Sequence, residues 1–313
     1  MDKYVILILT CMLTFNQAFS QVFEMTGGGL TITFDTFNGS IKNRMMLPED
    51  YKGNINLGQM NRESELEVSI HITGYDRDAH IGSKLIGGQP GKDLRLDNRR
   101  EEVIPGGKRH VLTMSDPNRL LKVESFYEFY DGTSTVRRYT KVTNTGKKSV
   151  SIEYLSSAMV NNIGVPGNVP LNDKLVFFRG DNGWNAEGRW LELTPLQMGY
   201  GSSGVFQLSA ATITNTGSMS TVAYLPMGVV HDKELGLSWF WQVEHNGSWH
   251  WEFSDVSGAS GQTPTYMYIG GPDEPHHTAW KELVPGEVYT SVPVAVGCVK
   301  GSFDNAVAAL TRY

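Results

Sequence analysis

The chain has 313 residues, with 27 Lys and Arg against 33 Asp and Glu, a net charge of −6. An acidic chain without a basic stripe does not suit nucleic acid or anionic lipid, so neither is expected as a partner. Glycine at 34 positions and only 19% charged residues indicate many turns and sparing charge, the composition of a large secreted all-β protein.

The N-terminus combines Lys3, an apolar run from Val5 to Phe15 and the small-x-small triplet Ala18-Phe19-Ser20. This pattern predicts a secretory signal peptide over residues 1–20, and a secreted or periplasmic mature protein. The run is about eleven residues long, too short to cross a bilayer of about 30 Å as a helix, and no later segment is longer, so no membrane span is expected. Removing residues 1–20 takes Asp2 and Lys3 together, which leaves the net charge unchanged, and takes Cys11, which leaves Cys298 alone. An intramolecular disulfide is then impossible, and the core must hold the fold.

Short alternating runs between turn signals follow: "LTITFDTF", "ELEVSIHITGY", "LKVESFYEFYDG", "STVRRYTKVTNTG", "KSVSIEYLSSAM", "LGLSWFWQVEH", "SWHWEFSD" and "VYTSVPVAVGCV". They read as strands, with sequential neighbours forming hairpins or meanders and Asn144-Thr145-Gly146 as one of the turns. The turn "GYDRDAHIGSK" gathers Asp76, Arg77, Asp78, His80 and Lys84, either as a solvated turn or as a ligand contact.

The segment "DNGWNAEGRWLELTPLQMG" sets Trp184 and Trp190 in a Gly- and Asn-rich stretch that reads as a loop. Arg189 beside Trp190 puts a hydrogen-bond donor next to an aromatic face, the combination a neutral sugar uses; the alternative is two rings covering a sheet edge.

Residues 239–253, "WFWQVEHNGSWHWEF", carry four tryptophans and two phenylalanines around Asn246-Gly247. This predicts a hairpin with a three-residue loop, His245-Asn246-Gly247, pairing Val243 with Trp249, Trp241 with Trp251 and Trp239 with Phe253. That register collects the apolar side chains on one face, and the band is expected to be core.

Glycosidic chemistry needs two carboxylates about 5 to 9 Å apart. Glu187, Glu192, Asp232, Glu234, Glu244, Glu252 and Asp255 are candidates by type, each also readable as a solvated strand or turn residue. His276 and His277 are neighbours whose side chains should point apart, so no metal is expected there. Cys298, in the apolar "SVPVAVGCV", reads as an inert buried thiol. No cofactor motif appears. At the end, Ser302 can cap a helix over "FDNAVAALTRY". With no stop signal before Tyr313, that helix suggests an excerpt of a longer chain.

From about residue 60 to 313 the chain resembles the N-terminal domain of glycoside hydrolase family 36, the bacterial α-galactosidases. The resemblance runs in order through "GYDRDAHIGSK", "ESFYEFYDGTSTVRRYTKVTNTG", "GRWLELTPLQMG", "LPMGVVHDKELGLSWFWQVEHNGSWHWEF" and "LVPGEVYTSVPVAVGCVKGSFDNAVAALTRY". It implies an all-β, galactose-mutarotase-like β-supersandwich of two large antiparallel sheets over 21–300. Residues 301–313 would begin a linker helix to a catalytic (β/α) barrel of the same polypeptide. It also implies retaining cleavage of terminal α-galactose from oligosaccharides such as raffinose and melibiose, by two aspartates on that barrel, beyond this sequence. No catalytic residue is then expected within the chain. The family's Gly-x-Trp loop matches Gly188-Arg189-Trp190, which makes Trp190 a sugar-stacking residue and Arg189 its neighbour. Leu191-Glu192-Leu193 departs from the charged residues that usually follow, and Ile81 and Leu85 stand where histidines are common. Family members are often oligomeric, so a homo-oligomer is expected.

A second reading is a free-standing carbohydrate-binding β-sandwich module, which needs exposed rings. A third, a sugar-isomerising enzyme on a similar sandwich, would need an acid and a base paired in one cleft.

Overall fold

The computed structural model describes residues 20–53, 65–75, 82–116, 118, 120–165, 167–201, 209–256 and 264–313. The signal-peptide reading of 1–20 lies outside them apart from Ser20, where the first strand starts. Among the described residues no helix is long and apolar enough to cross a membrane.

The chain opens on a meander set by turn chemistry. β1 (Ser20–Gly27) joins β2 (Leu30–Phe37) through Gly28 and Gly29, and β2 joins β3 (Ser40–Pro48) through Asn38 and Gly39; all four turn residues have positive φ. Two-residue turns with both central residues in that region match the twist of the strands they connect. After β4 (Ile70–Ile72) come β5 (Arg95–Ile104), β6 (Gly107–Asp116), β7 (Leu121–Tyr130), β8 (Thr135–Asn144) and β9 (Val150–Asn161). One helical turn, α1 (Leu171–Lys174), leads into β10 (Leu175–Asp181), β11 (Arg189–Leu193), β12 (Ala211–Asn215), β13 (Tyr224–Asp232), β14 (Leu237–Val243), β15 (Trp249–Asp255) and β16 (Thr265–Gly270). A second turn, α2 (Glu274–His277), precedes β17 (Lys281–Leu283), β18 (Val288–Thr290), β19 (Val294–Lys300) and the terminal α3 (Phe303–Arg312).

These strands build two antiparallel sheets. The larger has thirteen strands in the order β1-β2-β3-β5-β6-β7-β8-β19-β14-β13-β10-β11, with β18 also on β8. The smaller has six, β12-β15-β16-β9-β17, with β4 also on β9. The expected β-supersandwich is therefore what the sequence forms. Between the sheets lies one large core, to which Phe34, Tyr127, Trp239, Trp241, Trp249, Trp251 and Phe253 contribute. At roughly 1.5 to 3 kcal/mol for each large apolar side chain, these residues contribute a substantial share of the hydrophobic gain. The capping reading of Ser302 holds as well: its N–H donates to Asn305 Oδ1 (3.1 Å), and α3 lays Ala306 and Ala309 on Val229 and Phe240, on the outer face of the large sheet.

The hairpin expected over 239–253 does not form, although its residues are core as expected. β14 pairs with β13 and β19, β15 pairs with β12 and β16, and the Asn246-Gly247 segment carries the chain from one sheet to the other. The ladder between β14 and β19 continues past the strand end, the Glu244 N–H donating to Pro293 O (2.9 Å), so the chain stays with β19 instead of turning back on itself. Trp241 and Trp251 do meet, edge to face with centroids 4.9 Å apart, but across the sandwich rather than along one sheet. Crossing lets both strands bury both faces: Phe240 lies under α3, Glu252 accepts from the Leu85 N–H, and His250 is covered by His276 of α2. The chain crosses between sheets again after Asn144, where sequence order suggested another meander.

The interior is not wholly apolar. Arg138 on β8 meets Glu67 at 2.8 Å, with both side chains sealed from solvent. Tyr127 Oη and Ser125 Oγ donate to the same carboxylate, and Asn43 Nδ2 adds a third donor at 3.1 Å. The guanidinium lies 4.0 Å above the Tyr127 ring and donates to Met159 O (2.8 Å). Burial drives the Tyr127 phenol well above its ordinary pKa.

Candidate functional site

β11 is the last strand of the large sheet, paired with β10 so that Trp190 lies opposite Gly180 and Arg189 opposite Asp181. The segment expected as a loop is therefore split: residues 182–188 are the connection and Trp190 stands on a strand. Asn182 clamps the connection. Its N–H donates to Ala223 O (2.8 Å), its Nδ2 donates to Thr221 O, and its Oδ1 accepts from the Gly188 N–H (3.1 Å). Asn185 and Gly188 take positive φ, which Asn and Gly tolerate best, and Trp184 is carried at the tip with 91% of its surface exposed.

Trp190 is half-buried. Its ring meets Phe303, the first residue of α3, edge to face at 4.9 Å, and Phe303 stacks on Phe178 of β10 at 4.7 Å. Trp190 thus stands beside the root of the terminal helix with part of its ring open. Arg189 is exposed. Glu192, two residues along the same edge strand and so on the same face as Trp190, lines a cleft of about 400 Å³ with Asn172, Asp173, Thr194 and Lys233. That cleft offers amide, carboxylate and ammonium groups without one dominant charge, but Trp190 is not among its lining residues.

The other candidate carboxylates are committed to structure. Asp232 pairs with Lys174 (3.2 Å), and Glu234 accepts from the Asn168 and Val169 N–H groups and from Lys174. Glu244 accepts from Arg137 and from Tyr313 Oη; Glu252 accepts from the Leu85 N–H and Tyr266 Oη; Asp255 Oδ2 accepts from Tyr200 Oη (3.0 Å). Asp232, Glu252 and Asp255 are fully buried rather than solvated, because each satisfies neighbouring backbone or side-chain donors. Glu187 remains exposed and accepts from the Asn185 N–H. No open acid and base pair results among the described residues.

Of the 76–84 turn, Asp76, Arg77, Asp78 and His80 lie outside the described residues. Lys84 is buried, its ammonium donating to Asp255 O (2.8 Å), and burial lowers its pKa. That contact is structural. Cys298 is buried too, and burial pushes its thiol well up, as expected of an inert residue.

Sequence spacing could not foresee a histidine cluster. β15 brings His250 against His276 with centroids 3.8 Å apart and planes 15° from parallel, beside Asp273; one ligand atom from each of the three lies within 4.8 Å of the others. Stacked imidazoles project their nitrogen lone pairs side by side instead of converging, which suits a shared metal ion poorly. The His250 nitrogens are also engaged, by Thr214 Oγ1 and Glu252 Oε2. Burial raises the Asp273 carboxyl, but hydrogen bonds from His276 and His277 outweigh it and hold the group far below the usual carboxylate range. The His250 pKa is lowered by burial.

No protein-family model and no curated protein sequence matches the chain. Solved structures do match. The chain is similar to a variant of the α-galactosidase AgaA of glycoside hydrolase family 36 from Geobacillus stearothermophilus, in complex with 1-deoxygalactonojirimycin, with a TM-score of 0.68 and 12% identity over 92% of this chain and 42% of that one. The galactosidase domain of the α-galactosidase-sucrose kinase AgaSK gives 0.67 and 14% over 93% and 42%. The α-galactosidase from Lactobacillus brevis gives 0.61 and 12% over 90% and 40%. At such identities the likeness shows a shared fold, and the chain spans about two fifths of the length of each of these structures.

Proposed function

We propose that this chain is the N-terminal, non-catalytic part of a secreted, retaining α-galactosidase that hydrolyses terminal α-galactosides of oligosaccharides. In this reading α3 leads towards a catalytic (β/α) barrel on the same polypeptide. Trp190 completes the sugar pocket by stacking, Arg189 flanks it, and the domain takes part in subunit contacts of a homo-oligomer. The observation that carries the reading is the superposition of 92% of the chain on 42% of an α-galactosidase. Variants of that enzyme have been solved with raffinose and with stachyose. The placement of Trp190 on Phe303 supports it, since this partly open ring sits where α3 begins. The structural commitments of Asp232, Glu252 and Asp255 fit chemistry performed elsewhere.

Two measurements test it. The coding sequence past Tyr313 should continue into alternating strands and helices with aspartates at strand ends. The chain alone should not hydrolyse a chromogenic α-galactoside, and turnover that a carboxylate substitution in this chain abolishes would overturn the reading. A free-standing carbohydrate-binding module is the second reading, favoured by the exposure of Trp184; a stop codon after Tyr313, with sugar binding by the chain alone, would select it.

A further inference from the structure

A second aromatic site lies on the other sheet. β17 pairs with β9 so that Lys281 stands opposite Ile152, and β18, paired with β8 of the large sheet, brings Tyr289 alongside. The segment between α2 and β17 leaves through Thr278, which takes φ 52°, and delivers Trp280 to the same place. Together they enclose a cleft of about 200 Å³, with Tyr154 and Leu155 among its buried lining and Trp280, Tyr289 and Glu153 around it.

Trp280 is 59% exposed, in contrast to the buried tryptophans of β14 and β15. An indole left open in a concave setting offers a flat face to a partner that has a flat apolar face of its own. The polar groups at the mouth narrow that partner. Glu153 is held 3.4 Å from His71 Nε2, and Lys281 is 2.6 Å from Glu287. Lys281 already has a counter-charge in Glu287, and Glu153 faces an imidazole, so the mouth offers hydrogen-bonding groups of both signs rather than one dominant charge. Both groups retain hydrogen-bonding capacity, a carboxylate having about four lone-pair sites and an ammonium three donors. The volume lies below the roughly 300–1,000 Å³ of drug-sized sites, which admits one ring and not an extended chain.

We propose that the Trp280 cleft binds a single neutral pyranose unit, its C–H face on the indole and its hydroxyls on Glu153 and Lys281. This contact is separate from the one proposed for Trp190 and does not depend on where catalysis takes place. Trp190 stands on the terminal strand of the large sheet, whereas this cleft is built on β9 and β17 of the small one.

The test is titration of the purified chain with methyl α-galactopyranoside and methyl α-glucopyranoside, followed by tryptophan fluorescence and saturation-transfer NMR. The expected Kd is of the order of 1 mM; Trp280→Ala should weaken it by about tenfold or more, and Trp280→Phe should recover part of the loss. Glu153→Gln should weaken it by about threefold, while Trp184→Ala and Trp190→Ala should leave it within about twofold. Trp280 is exposed, so thermal unfolding of the variant should match the parent. Absence of binding by about 50 mM sugar, or binding unchanged in Trp280→Ala, overturns the proposal. Binding lost only in Trp190→Ala also overturns it, and leaves the α-galactosidase reading standing. Self-association abolished by Trp280→Ala, without any effect of sugar, would make a second copy the occupant and equally overturn it.

Discussion

Arg138 on β8 and Glu67 form an ion pair at 2.8 Å with at most 1% of either side chain exposed, inside the sandwich and between the sheets. Separating such a pair is costly because the remaining charge stays buried, about 3 to 5 kcal/mol, although the intact pair adds little net stability once desolvation is counted. Arg138→Met should therefore lower the unfolding free energy in denaturant titration by about that amount. Arg138→Met with Glu67→Gln should recover part of the loss, because no ion is then left alone.

Trp241 and Trp251 come from different sheets and meet edge to face at 4.9 Å. Trp241→Ala should cost about 3 to 5 kcal/mol in equilibrium unfolding through the cavity it leaves. A double-mutant cycle with Trp251→Ala should return a coupling of about 0.5 to 1.5 kcal/mol, the contribution of the ring pair itself. A loss under 1 kcal/mol for the single variant would remove Trp241 from the core.

The stacked pair of His250 and His276 should make the fold acid-sensitive. His250 has its pKa lowered by burial, opposed by Glu252 and Asp273 and assisted by His276, with Thr214 on its other nitrogen. As pH falls below the unfolded value of about 6.5, the unfolded chain takes up the proton first, so the contribution present above that pH is lost on the way down to the folded pKa. Asp273, also depressed, contributes in the same direction lower down, its share being full above about 3.9 and lost as pH falls towards the folded value. His250→Asn should flatten the fall in unfolding temperature between neutral pH and about pH 5. An unchanged slope would show that this histidine does not govern it.

Trp190 leans on Phe303 but leaves part of its ring open. If the proposed α-galactosidase reading holds, Trp190→Ala in the complete protein should raise KM for an α-galactoside by about three- to tenfold and leave kcat nearly unchanged, the signature of lost uniform binding. Arg189→Ala should stay within about twofold. A pure fall in kcat would place the ring elsewhere than in the proposed stacking role.

Strands, turns and the apolar band were legible in the sequence because a period of two fixes which face of a strand is buried. The period does not choose a partner strand. Asn246-Gly247 carries a strong local hairpin signal, yet β14 and β15 find longer ladders in separate sheets. Phe240 held the clue: in a polar-out hairpin it would be an exposed ring, and it called for a cover that α3 provides. Trp190 read as a loop residue because Gly188 and Asn185 mark the turn just before it, while the short strand that follows depends on β10 for its hydrogen bonds. The stack of His250 on His276 was out of reach, since it exists only once β15 and α2 are brought together.

β19 lies between the two halves of the large sheet. Val296 pairs with Val136 on one side and with Trp241 on the other, so seven strands ending at β8 and four beginning at β14 are joined through residues 294–300. Those residues follow every other strand of the two sheets in the chain, and until they are in place β14 lacks its β19 partner and β8 is covered on that side only by the short β18. Such edges invite pairing with another nascent chain. Closure of this sheet thus depends on the strand that comes last among its members in the chain, so the early meander alone cannot complete it.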